Sequence, residues 1–146
     1  MFAMEQVTEI LRGKGYKVTP QRLAVYEALA RTKAHPTADA IYMDLQPEYP
    51  TMSLATVYKT LDIFSKVGLV QVLNVGEESF RYDANIDNHP HICCVRCNRV
   101  DDVHHTDTSG LVGEIEGETG YKITGRQMYF YGVCPSCQGV SSNVKN

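Results

Sequence analysis

The sequence predicts an α+β protein, with an N-terminal winged helix-turn-helix domain followed by a small α/β dimerisation domain. Three observations predict it. Capped segments with apolar residues at helical spacing run up to Gly68. Two extended runs around Gly76 and Glu77 follow and end at Asp83. Beyond that point the pattern changes to short strands that carry all five cysteines. A length of 146 residues suits one domain or two small ones. The expected division is a winged-helix domain over 1–83, a hinge over 84–88 and a second domain over 89–146.

Each element has a local reason. Between Met4 and Arg12, Val7, Ile10 and Leu11 share one face, and Gly13 is expected to end that helix. Thr19 is a good N-cap, and Pro20 stands at the first helical position, where its missing N–H costs nothing. Leu23, Tyr26, Leu29 and Ala30 then recur at helical spacing. In "HPTADAIYMDL", Thr37 caps and Ile41 and Leu45 lie one turn apart. In "SLATVYKTLDIFSKVGLV", Ser53 caps, Leu54, Val57, Leu61 and Phe64 form a buried stripe, and Gly68 ends the helix. "LVQVLNVGEESFRYD" reads as a β-hairpin turning at Gly76 and Glu77. These stripes would also suit other small helical domains.

Past Asp83, "HICCV" and "RVDDVHH" read as short strands, "SGLVGEIEGETG" as an amphipathic helix using Leu111, Val112 and Ile115, and "YKITGRQMYFYGVC" as a strand. The Tyr-rich strand leaves an apolar face wanting cover, which a second copy of the chain could supply.

Composition excludes several classes. Hydrophobic residues make up 43% and charged residues 21%, as in an ordinary globular protein. Apolar runs such as "LATV" and "MYFYGVC" are too short to span a bilayer. "MFAMEQVTEILRGKG" reads as a helix and not a signal peptide, so a cytoplasmic location and no membrane partner are expected. Residues 1–82 hold nine Lys/Arg and nine Asp/Glu, while residues 83–146 hold five and eight. A neutral first half does not exclude DNA binding, because local clustering matters more than the sum.

Cys94-x-x-Cys97 and Cys134-x-x-Cys137 are separated by 36 residues. Two intervening residues let both sulfurs of a pair reach one ion at about 2.3 Å in tetrahedral geometry. Four thiolates favour zinc and leave no open position for chemistry. A thioredoxin-like redox pair is the competing reading, and two matched pairs favour structural zinc over it. Cys93 points away from Cys94 in a strand and reads as a small buried apolar residue.

A second cluster sits close by. His89 and His91 flank Pro90, which keeps the segment extended. Asp83 lies six residues before His89, and Asp102 eleven residues after His91. Imidazole and carboxylate together suit Fe(II), Mn(II), Co(II) or Zn(II). Each histidine alone is as readily a surface or hydrogen-bonded residue. His104 and His105 read as polar strand-end residues. A non-haem iron or zinc enzyme needs a pocket and a nucleophile or oxyanion motif that this chain lacks, so no catalytic residues are expected and the chain is not read as an enzyme.

The segments "TPQRLAVYEAL", "HPTADAIY", "SLATVYKTL", "F-R-Y-D", "H-P-H-I-C-C-V-R-C", "VDD" and "YGVCPSC" stand in the order found in the ferric uptake regulator family, which the chain resembles over nearly its whole length. The resemblance implies a homodimeric, metal-dependent transcription repressor that binds double-stranded DNA at a palindromic operator. Its peroxide-sensing members have a five-ligand metal site, which falls here on His35, Asp83, His89, His91 and Asp102. Iron-responsive members usually carry Glu at the last position and a further His before "YG", which this chain lacks. Three nitrogens and two carboxylates leave one octahedral position open to hydrogen peroxide when Fe(II) is bound. The resemblance makes His35 and His89 the residues that oxidise, Mn(II) the inert alternative, and iron or zinc homeostasis the competing role. It places Ala55, Thr56, Tyr58 and Lys59 in the major groove, with Tyr58 on a base, and Lys17 and Arg22 on phosphates or the minor groove.

Overall fold

The computed structural model describes residues 1–74, 80–104 and 107–142. The chain divides into two compact units, Met1–Asp87 and Asn88–Asn146.

The first unit contains four helices and a two-stranded sheet. Helix α1 (Met4–Gly13) buries Val7 and Leu11. It ends at Gly13, as expected. The chain turns at Gly15 (φ +84°), and Tyr16 N–H closes onto the Leu11 carbonyl at 2.9 Å, so the left-handed residue lies two positions beyond the expected glycine. In α2 (Pro20–Ala30), Thr19 accepts the Arg22 amide at 3.2 Å. Thr37 accepts the Ala40 amide at the start of α3 (Ala38–Leu45), and Ser53 accepts the Thr56 amide at the start of α4 (Leu54–Lys66), each at 3.1 Å. These three caps are the expected ones, each worth about 1 kcal/mol. Gly68 takes φ +82°, and the Leu69 amide returns to the Phe64 carbonyl at 2.9 Å, ending α4 as expected.

The buried stripe of α4 is Val57, Thr60, Leu61, Ile63 and Phe64. Leu54 is only half-buried, because at the first helical position it lies at the rim of the core. Tyr26 of α2 meets Phe64 edge-on, with ring centroids 5.8 Å apart. Its hydroxyl accepts the Phe2 amide at 2.9 Å, which satisfies a polar atom inside the core. Leu23 and Ala30 pack only at the margin, and Val25 and Ala28 take the buried positions. Strands β1 (Gln71–Asn74) and β2 (Phe80–Asp83) pair antiparallel, with Val72 opposite Tyr82 and Leu73 opposite Arg81. The predicted turn at Gly76 and Glu77 lies outside the described residues. Helices α2 to α4 followed by this hairpin form a winged helix.

In the second unit β3 (His91–Cys94) is the central strand. It pairs antiparallel with β4 (Val100–Asp102) and parallel with β5 (Tyr129–Gly132). Helix α5 (Ser109–Thr119) provides the crossover that a parallel pairing requires, and Gly120 closes it at φ +77°. The strand expected from Tyr121 is confined to Tyr129–Gly132. A further helix, α6 (Pro135–Ser142), was not foreseen. Its signal was Pro135, which can open a helix. Helix α5 buries none of its residues, and Ile92, Phe130 and Tyr131 are 40%, 47% and 56% exposed. Ile92 and Phe130, paired in register, share one face of the sheet, and this is the apolar face that the Tyr-rich strand was expected to leave. Among the described residues, no helix is long and apolar enough to cross a membrane.

Candidate metal centres and nucleic-acid interface

The end of β3 and the start of α6 bring the four predicted cysteines together. Cys94 Sγ lies 3.8 Å from Cys137 Sγ, and Cys97 Sγ lies 3.8 Å from Cys134 Sγ. All four sulfurs lie within 4.8 Å of one another. A tetrahedron with bonds of about 2.3 Å has edges of about 3.8 Å, so the donor set fits zinc. The loop geometry explains the fit. Asn98 takes φ +64° and donates its amide to the Cys94 carbonyl at 2.8 Å, which folds the first pair back on itself. The amides of Cys134 and Arg96 donate to Cys94 Sγ at 3.3 and 3.4 Å.

Backbone hydrogen bonds pull the Cys94 thiol down to about 6, that of Cys134 first and that of Cys97 next, with a smaller part from Arg96. Cys137 is pushed up to about 12, first by its hydrogen bond to Cys134 and then by burial. Four adjacent sulfurs cannot all ionise without a cation among them, and one divalent ion removes that conflict. Cys93 is buried, its thiol 3.7 Å from the Cys94 carbonyl and outside the four-sulfur cluster.

The histidines and carboxylates form two constellations, one in each unit. In the first unit His35 sits before Pro36 with φ +52°, and its ring is 2% exposed. Its Nε2 lies 3.2 Å from Asp83 Oδ2. A positive φ at a non-glycine residue costs on the order of 1–3 kcal/mol and tends to mark functional positions. Asp83 Oδ1 accepts the Asn85 amide at 2.9 Å, which fixes the carboxylate. In the second unit, His89 Nε2 and His91 Nε2 lie 2.9 and 3.3 Å from the same oxygen, Asp102 Oδ1. Strand register explains part of this, since His91 stands directly opposite Asp102. The two rings lie 4.5 Å apart, and His91 is 3% exposed. His104 is exposed and stacks 6.3 Å from His89. His105 lies outside the described residues. Nitrogen and carboxylate donors gathered in this way suit Fe(II) or Mn(II).

Arg81 was not foreseen as part of either constellation. Its guanidinium donates to the His35 carbonyl at 3.1 Å. Its sequence signal was its place two residues before Asp83, on the same face of the strand.

On α4, Ala55, Tyr58 and Lys59 are exposed and Thr56 is half-buried. Tyr58 is 47% exposed, a large aromatic ring left uncovered beside a lysine. Arg22 holds the Lys17 carbonyl at 2.8 Å, so those two residues sit together ahead of α2.

The model of the ferric uptake regulator family matches residues 13–131. The chain belongs to the ferric uptake regulator family. It is 37% identical over 135 residues to the peroxide-responsive repressor PerR of Staphylococcus epidermidis, spanning 92% of this chain and 90% of that one. The solved PerR of Streptococcus pyogenes, described as a basis for peroxide sensing and gene regulation, is 37% identical. It covers 94% of this chain and 95% of its own, with a TM-score of 0.55. The ferric uptake regulator of Helicobacter pylori, described as having three functional metal-binding sites, has a TM-score of 0.81 over 92% of this chain and 91% of its own. At 22% identity it bears on the fold alone. Repressors of this family bind DNA through an N-terminal winged-helix domain and act as dimers through a C-terminal one. The chain is accordingly a metal-dependent repressor, with a structural zinc and a regulatory Fe(II) or Mn(II) as cofactors.

Proposed function

We propose that this chain is a peroxide-sensing repressor, released from a palindromic operator when one of its own metal-binding histidines is oxidised. Cys94, Cys97, Cys134 and Cys137 hold the structural zinc. His35, Asp83, His89, His91 and Asp102 hold the regulatory ion. The convergence of His89 and His91 on one oxygen of Asp102 carries this reading, because a carboxylate this short supports a compact nitrogen and oxygen donor set. The buried His35–Asp83 pair supports it from the first unit.

Fe(II), when bound, would relay electrons from the imidazole to hydrogen peroxide, whereas Mn(II) among nitrogen and carboxylate ligands would resist that step. The oxygen ends on a ring carbon of His35 or His89. One peroxide oxygen enters the ring and the other leaves as water, so the imidazole loses two electrons and peroxide gains them. The protein is modified once and does not turn over. Loss of either ring as a ligand releases the metal, and the repressor then leaves its operator.

Peptide mass spectrometry after peroxide exposure tests this. The Fe(II) form should gain one oxygen on the peptide carrying His35 or His89 and lose operator binding. The Mn(II) form should do neither. Unmodified histidines in the Fe(II) form would place the chain with iron-responsive repressors, and oxidation confined to the cysteines would make it a thiol sensor.

Ala55, Thr56, Tyr58 and Lys59 enter the major groove, and Lys17 and Arg22 meet phosphates or the minor groove. Tyr58→Ala should cost about tenfold in discrimination between operator and random duplex, within the ~1–3 kcal/mol expected of a base contact. Lys59→Ala should weaken both complexes alike and reduce the salt slope by about 1. Binding measured across a salt series separates the two effects.

A further inference from the structure

Three consecutive residues of β2 reach back to the segment before α3. Arg81 Nη1 donates to the His35 carbonyl at 3.1 Å. The Tyr82 amide donates to the next carbonyl, that of Pro36, also at 3.1 Å. Asp83 then places Oδ2 3.2 Å from His35 Nε2. Arg81 and Asp83 lie on one face of the strand, while Tyr82 between them turns inward and is buried.

His35 needs this support. It has φ +52° in front of a proline, where the preceding residue prefers an extended backbone. Released from its contacts, the segment would relax toward negative φ and carry the ring away from Asp83. The Asp83 contact restrains the ring, and the two carbonyl contacts restrain the backbone. Of those two contacts, the one from Arg81 is charged, and hydrogen bonds from charged donors are about twice as strong as neutral ones.

We propose that Arg81 is the positioning residue of the regulatory site, holding the His35 backbone in its positive-φ conformation so that the imidazole faces Asp83. This rests on the assignment of His35 and Asp83 as ligands made above. Arg81 binds no metal itself. It acts as the outer-shell partners of metal ligands do, and their loss typically costs 10–100-fold in affinity.

The test uses the full-length zinc-loaded protein and Mn(II) alone as the probe. Arg81→Met and His35→Ala should each weaken Mn(II) binding by about tenfold or more. Arg81→Lys should recover most of the affinity, because an ammonium can still reach a carbonyl. The double variant should bind no more weakly than His35→Ala alone, since Arg81 acts only through His35. In metal-free protein, the His35 imidazole NMR signals should shift in Arg81→Met and stay near wild type in Arg81→Lys. A merely structural arginine would lower the melting temperature of Arg81→Met and leave Mn(II) affinity unchanged below the melt. Wild-type affinity in Arg81→Met, beside a loss in His35→Ala, overturns the proposal alone. Wild-type affinity in His35→Ala overturns the ligand assignment beneath it. If Arg81→Met does not fold, Arg81→Gln decides in its place, with weakened binding expected and unchanged binding overturning the proposal.

Discussion

Tyr26, Leu29, Val57, Leu61 and Phe64 are all at or below 2% exposed and form one core across α2 and α4. The second unit has nothing comparable. Among its described residues the buried hydrophobics are Cys93, Cys94 and Val100, and α5 buries none. Both units carry capped or closed helices and paired strands, so local structure does not separate them. They differ in what holds those elements together. Burial of apolar surface, at roughly 25 cal/mol per Å², suffices for the first. The second holds its chain ends through four sulfurs and leaves the face of Ile92 and Phe130 for a partner to cover. Below about 70–80 residues a single core rarely supplies more than a few kcal/mol, and a structural metal or an oligomer makes up the difference.

The largest expected effect comes from removing the zinc. Structural zinc supplies about 10–16 kcal/mol of apparent binding energy in small metal-dependent domains, and that energy is folding energy. Cys97→Ser, or a strong chelator, should release the zinc, abolish the dimer and broaden the NMR signals of the second unit. The signals of Tyr26 and Phe64 in the first unit should persist. A zinc-free Cys97→Ser protein that stays dimeric would erase the contrast between the units. Lowering the pH should weaken zinc binding, because protons compete for the sulfurs.

Leu61→Ala makes the converse test. It removes a fully buried side chain of α4 and should cost about 2–5 kcal/mol by leaving a cavity. Urea unfolding should show the loss in the transition of the first unit, with zinc content and dimer unchanged. Loss of zinc from Leu61→Ala would mean that the two units do not stand on separate foundations.

Caps and cysteine spacing were legible in the sequence because they act over three or four residues. Thr19, Thr37 and Ser53 each cap the helix expected of them. Elements set by tertiary contact were not. The alternation from Tyr121 onward looks like one strand, but only Tyr129–Gly132 finds a partner in β3. The parallel pairing of those strands, like the role of Arg81, joins residues far apart in the chain, and no local pattern marks it. The histidine and carboxylate set was legible as residue types. Which carboxylate meets which ring required the register of His91 opposite Asp102.

The smallest effect sharpens the contrast most, because it falls within one unit and on its function. Ser53→Ala removes the oxygen that accepts the Thr56 amide at 3.1 Å and pairs with the Thr56 hydroxyl at 2.9 Å. The cost should be about 1 kcal/mol. The core below, at Val57, Leu61 and Phe64, is closed, so the fold survives and only the first turn of α4 frays. That turn carries Ala55 and Thr56, so operator binding should weaken while zinc content, dimerisation and Mn(II) affinity hold. Ser53→Asp separates the two roles of the position. A carboxylate caps as well as a hydroxyl and suits the positive end of the helix, so thermal stability should return. The same carboxylate faces the phosphates that a recognition helix approaches, so DNA binding should not return. If stability and binding recover together in Ser53→Asp, the N-terminus of α4 does not face DNA, and the reading of Tyr58 and Lys59 falls with it.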